Sequence, residues 1–236
     1  MQQLGTRWRE TLEVVTVTAS TLEMALSYEH ANIRELAEPA RHPAAAHPDR
    51  RHRTDWFYAI TAQHLAAAED VLLPQVRRLP DGAELVARYV GNAKDLERNL
   101  RYLKGRQYGD SRVLHLDPHD VLRTIDRLLA EHERLETDYS HQLSEHLDAT
   151  EVNELTKELL EAEEVAPTRA HPNSPHTGLA GRLAHRMWRL ADNAWDSAEG
   201  RVVPTKYHVH PKRNSALSHY LYGTAMPQTD GPATDK

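Results

Sequence analysis

Between residues 118 and 147 the chain repeats apolar side chains every three or four positions, at Leu122, Ile125, Leu128, Leu129 and Leu143. That period belongs to an α-helix with one buried face. "DPHD" at 117–120 starts the helix, with Asp117 placed to cap it and Pro118 at its first position. The same stripe also carries His132, Glu136 and Tyr139. Residues four apart on a helix differ by about 40° in direction, so His132 and Glu136 share the inward face. A buried carboxylate is costly unless it is paired. This segment therefore has to fold against something that compensates it.

The remainder of the chain has the same helical character, and no segment alternates like a strand. A first helix is expected over 6–38, with Leu22, Leu26, Ile33 and Ala37 inward and Pro39 ending it. A proline-broken connection covers 39–53. A second helix is expected over 54–76, capped by Thr54, with Phe57, Ile60 and Val71 inward and Pro74 kinking or ending it. "LPDG" at 79–82 is a turn whose Asp81 caps a third helix over 82–105. A shorter helix follows at 150–164. An amphipathic helix at 179–198 carries Leu179, Leu183, Met187, Leu190 and Ala194 on one side. The expected fold is all-α: an antiparallel four-helix bundle over 6–165 with a short fifth helix. A C-terminal appendage over 166–200 and a disordered tail over 201–236 complete it.

Composition removes several classes of function. The 236 residues include no cysteine, which excludes disulfides, iron–sulfur clusters and thiolate zinc. The net charge of -6 argues against a nucleic-acid partner. No apolar signal segment or membrane span is present, so a soluble cytoplasmic protein is expected. There is no glycine-rich phosphate loop and no nucleophile elbow.

The other three long helices carry core polar groups too. His30 lies between Leu26 and Ile33, His64 between Ile60 and Val71, and Glu97 between Ala93 and Leu100. "EHANIREL" at 29–36 matches "LERNLRYL" at 96–103, with Glu97 in the place of His30. The chain thus reads as two helical hairpins of one design. Isolated polar groups in a core are each costly, and a shared cation offsets that cost. Imidazole and carboxylate without thiolate suit iron or manganese, with zinc as a further option. Three imidazoles and two carboxylates exceed one tetrahedral zinc and suit a dinuclear centre.

These segments resemble the hemerythrin-like (HHE cation-binding) family over roughly 20–165. "EHANIREL" supplies His30, "HLAAAEDVLLP" supplies His64, and "EHERLE" supplies His132 and Glu136. The stretch at 163–181 also resembles C-terminal tails of some actinobacterial members. The resemblance implies two non-haem irons bridged by oxygen and carboxylates. Two positions depart from the pattern. Ala68 stands where an acid is expected, which leaves Glu69 as the candidate, and Glu97 stands where histidine is expected. An ideal helix points Glu69 about 140° away from His64.

The expected function is a non-haem iron protein, with one or two ions, that binds or activates dioxygen, peroxide or nitric oxide. Its metal ligands would be His30, His64, Glu69, Glu97, His132 and Glu136, with Tyr139 as a catalytic candidate lining the cavity. A small-molecule substrate and a homo-oligomer through the C-terminal helix are compatible with it. The alternatives are a metal-poor bundle acting as an interaction module and a zinc-dependent hydrolase.

Overall fold

The structure, a computed structural model, describes residues 20–41, 50–107 and 109–199. The first part of the helix expected at 6–38 and the tail expected at 201–236 lie outside the described residues. Every element among the described residues is helical, and there is no strand among them. No helix among them is long and apolar enough to cross a membrane.

Helix α1 (Thr21–Arg41) runs through Pro39 instead of stopping before it. A proline in the last turn removes only one backbone donor. Arg41, just beyond it, donates from Nε and Nη2 to Asp126 Oδ1 at 3.0 and 2.5 Å, which holds that turn in place.

Helix α2 (Arg50–Ala67) passes into a π-helical turn (Ala68–Leu72) and then a short α3 (Leu73–Val76). Leu73 N–H donates to Ala68 O, five residues back. The widened turn lies directly before Pro74, where a regular helix would press the proline ring against the Asp70 carbonyl. Pro74 accordingly neither ends nor sharply breaks the segment. Glu69, in this turn, is only 4% exposed, covered by His176 and His185 of the C-terminal segment.

Helix α4 (Gly82–Gln107) follows the turn at 77–81, in which Asp81 adopts φ 56°. Asp81 serves this start through its backbone carbonyl, which accepts from Glu84 N and Leu85 N. Helix α5 (Pro118–His146) begins as the sequence predicts, with Asp117 accepting from His119 N. Helix α6 (Ala149–Val165) has a full capping box between Asp148 and Glu151.

Three contacts fix α4 antiparallel on α5. Tyr139 Oη donates to Leu85 O at 2.7 Å, Tyr89 Oη to Glu136 Oε1 at 2.8 Å, and Asn92 Nδ2 to Leu128 O at 3.1 Å. Helix α1 also lies antiparallel on α5, since Arg34 pairs with Glu133 and Arg41 with Asp126. Helix α6 packs on α1 and α2. One apolar core joins α1 to α6, through Leu22, Ile33, Phe57, Leu65, Leu96, Ile125, Leu135 and Leu159 among others. Each such side chain contributes about 1.5–3 kcal/mol on burial.

Helix α7 (Gly178–Glu199) departs from expectation. Its apolar stripe does not cover the core. Leu179 and Leu190 are 79% and 72% exposed, and Leu183 and Met187 also face solvent. The polar face docks instead, burying His185, Asp192 and Asp196. Thr168 Oγ1 donates to Asp196 Oδ2 at 2.6 Å, Arg169 N to Asp192 Oδ2 at 3.0 Å, and Arg169 Nη2 to Asp196 Oδ1 at 2.7 Å.

Two glycines of α4 test this packing in opposite directions. A Cβ on Gly82 would lie 2.5 Å from Val76 O and 2.6 Å from Arg77 O, both rigid backbone. A Cβ on Gly91 would meet nothing within 4 Å. Gly82→Ala is expected to destabilise by about 1–3 kcal/mol, and Gly91→Ala to stabilise by about 0.8–1 kcal/mol. Denaturant unfolding of the two variants checks the signs.

Candidate metal site

Helix periodicity turns His30, His64, His132 and Glu136 inward, and the packing of α1, α2 and α5 brings them to one point. All four are buried, with His64 and Glu136 at 0% exposure. Nε2 of His30 and Nε2 of His64 lie 2.9 and 3.1 Å from Glu136 Oε2. Nε2 of His132 lies 3.2 Å from Oε1 of the same carboxylate. One donor atom from each of the four residues falls within 4.8 Å of every other. The imidazole rings stand edge to face, with centroids 5.1, 5.3 and 5.7 Å apart.

Two further residues complete the surroundings. Glu163 of α6 is 2.8 Å from His64 Nδ1 through Oε1. A carboxylate there accepts the Nδ1 proton and leaves Nε2 as the free donor. Tyr89 of α4 donates its hydroxyl to Glu136 Oε1, and its ring lies 5.0 Å from that of His132. Neither ring nitrogen of His132 makes a hydrogen bond, and His30 Nδ1 has no such partner either. A buried polar atom left unpaired costs about 1–3 kcal/mol.

Charge within the group follows from burial and contact. Burial would raise Glu136, yet the imidazoles of His64 and His132 hold its carboxyl well below the usual range. Burial also works against charge on His64, but Glu136 and Glu163 outweigh it and hold the ring well above its ordinary value. His132 has no such second carboxylate and is lowered by its burial. Tyr89 is raised well above its usual value, first by burial and then by Glu136 and Glu69, so it remains a donor. An ionised carboxylate, a neutral imidazole and one displaceable proton on His64 form a donor set that can hold a metal ion.

Two predicted ligands lie elsewhere. Glu69 is buried, but its Oε1 meets His176 Nδ1 at 2.8 Å, and its Oε2 lies 3.4 Å from His185 Nε2. Glu97 accepts from His171 N at 3.3 Å through Oε1. Burial, and then Glu69, push Glu97 up to about 7. The cause is axial register. Tyr89 is the α4 residue opposite Glu136, and Glu97 lies eight residues further on, about 12 Å along the helix. Tyr139, the predicted catalytic residue, commits its hydroxyl to Leu85 O. The hydroxyl on Glu136 belongs to Tyr89.

Sequence reasoning did not single out Tyr89, Glu163, His176 or His185. Glu163 was within reach, because it continues the stripe Val152, Leu155, Leu159 by one further turn. His176 reads as a loop histidine, and nothing in its spacing marks it. Comparison with protein-family models, curated proteins and solved structures gives no match.

Glu163→Leu keeps most of the bulk and removes the acceptor on His64. Metal affinity is expected to fall about 10–100-fold. Competition titration against a chromophoric chelator measures it.

Proposed function

We propose that the chain is a hemerythrin-like, antiparallel four-helix bundle that holds non-haem iron at His30, His64, His132 and Glu136. We further propose that this iron is presented to dioxygen, peroxide or nitric oxide. The observation that carries this reading is the convergence of three imidazole Nε2 atoms and one carboxylate in a dry core, with His132 lacking any hydrogen-bond partner. The donor set has nitrogen and oxygen and no thiolate, which suits a first-row divalent ion. Four protein donors leave positions open on an octahedral ion. Bound iron supplies one-electron chemistry and a site where a small ligand exchanges.

The chain's own residues supply the remaining functions. Glu163 holds the tautomer and orientation of His64. Tyr89 keeps its proton and directs it at Glu136, so a hydroxyl donor stands beside His132 at the rim of the donor set. Ile33, Phe57, Leu65 and Leu135 are almost fully buried, and the core they form excludes water. The number of ions at this group is one. The dinuclear expectation needs Glu69 and Glu97, and both carboxylates are engaged with the C-terminal segment instead.

Zinc is the second reading. Three imidazoles and one carboxylate are the complement that a tetrahedral zinc takes. Elemental analysis after anaerobic reconstitution, together with the optical response to dioxygen or nitric oxide, separates the two. Iron that responds to these gases, with one equivalent lost in His132→Ala, is the expected result. Firm zinc with no response transfers the assignment to zinc. No metal in this group after reconstitution leaves a polar core, and with it a protein that acts through its surfaces.

A further inference from the structure

We propose that the exposed face of α7 attaches the protein to an anionic lipid surface, as an amphipathic helix lying in the headgroup plane. This face shares no residue with the group around Glu136, and its role does not depend on the ion held there.

The apolar stripe of α7 stands almost entirely in solvent. Leu179, Leu183, Met187 and Leu190 are 79%, 60%, 70% and 72% exposed. They recur at the spacing of one helix face and run about 16 Å along its axis. Apolar side chains left in water forfeit the free energy that burial supplies. A contiguous row of them marks a contact surface.

The charges beside the stripe identify what it meets. Between Gly178 and Ala191 the helix carries Arg182, Arg186 and Arg189 and no acid. All three arginines are exposed. Arg182 donates to the Asp70 carbonyl at 3.1 Å, a neutral acceptor that leaves its charge uncancelled. The next acids along the helix, Asp192 and Asp196, are buried and bonded to Arg169 and Thr168. The face is thus apolar and cationic in a chain whose net charge is -6. Anionic headgroups complement it: the leucines enter the acyl boundary, and the guanidiniums pair with phosphate.

A second copy of the chain complements it less well. Arg182, Arg186 and Arg189 lie on one flank of the stripe, and Ala180, Ala184 and Ala191 on the other. Two copies of α7 packed stripe to stripe and antiparallel would set arginine flank against arginine flank, which is repulsive. Packed parallel, they would set each arginine flank against alanines. Neither arrangement brings a carboxylate of α7 to the arginines. A protein groove fits the shape poorly. The opposite side of α7 is turned onto its own body, burying His185, Asp192 and Asp196. A groove has to embrace a helix, whereas a lipid surface needs one side of it.

The test is cosedimentation of the full chain with vesicles of phosphatidylcholine, either alone or with about 30% phosphatidylserine. Binding is expected on the anionic vesicles, falling at least about tenfold in roughly 0.5 M salt. Leu183→Ser/Leu190→Ser and Arg186→Glu/Arg189→Glu replace exposed side chains only. Each should lower the affinity for anionic vesicles at least about tenfold while circular dichroism stays unchanged. Binding that both double variants retain overturns the assignment. A chain that is monomeric in sedimentation equilibrium and ignores both vesicle types also overturns it, and leaves the stripe to a protein partner. A lipid-free dimer that Leu183→Ser/Leu190→Ser dissociates overturns it in favour of a second copy. Metal content is read separately, so His132→Ala should bind the vesicles as the unaltered chain does.

Discussion

The carboxylate of Glu136 is fully buried, and the arrangement of α1, α2, α5, α6 and α4 around it follows from that. An ion of this kind loses several kcal/mol of hydration even after the protein relaxes around it. A few buried leucines at about 1.5–3 kcal/mol each would offset that loss only if nothing better were available. Direct compensation comes from His30, His64 and His132 within 3.2 Å and from the Tyr89 hydroxyl at 2.8 Å. Each partner fixes a degree of freedom. His30 ties α1 to the carboxylate, His64 ties α2, and Tyr89 ties α4 in the register that Asn92 and Tyr139 also hold. Glu163 then brings α6 into the set through His64. One charge thus specifies the mutual placement of five helices, which the uniform Leu, Ile and Ala packing around it does not do.

Periodicity encodes the rotation of a side chain about its own helix axis, and that much was legible. His30, His64, His132 and Glu136 all point inward as their neighbours' spacing requires, and the cap at Asp117 marks a helix start correctly. Position along the axis is a different quantity. It depends on how two helices slide against each other, and loop lengths constrain that only loosely. Glu97 shows the consequence. Its similarity to His30 in local pattern is real, yet the Asn92–Leu128 and Tyr139–Leu85 contacts set α4 so that Tyr89 faces Glu136. Glu69 shows a second effect. On a regular helix it points away from the core. It is buried all the same, because the C-terminal segment covers it with His176 and His185, and nothing in the local spacing of that stretch announces such a cover.

Amphipathicity carries a related ambiguity at α7. A helix with one apolar and one polar face has two surfaces to offer, and the pattern does not say which one docks. Here Asp192 and Asp196 find Arg169 and Thr168, and His185 finds Glu69 and Asp70. Charged hydrogen bonds in partly dry surroundings contribute about 1.5–3 kcal/mol each, and several act together. The stripe of Leu179, Leu183, Met187 and Leu190 is left outward as a contiguous apolar surface of a kind that monomers seldom expose.

The two acid–imidazole clusters are electrostatically joined through Tyr89. Its hydroxyl sits on Glu136, and its deprotonation is opposed by burial, by Glu136 and by the charge of Glu69. Glu69 belongs to the second cluster. In a low-dielectric interior a unit charge several ångströms away still acts with kcal/mol strength. Glu69 thus lies between the C-terminal segment, which it meets through His176 and His185, and the Tyr89 hydroxyl, whose proton its charge helps to hold.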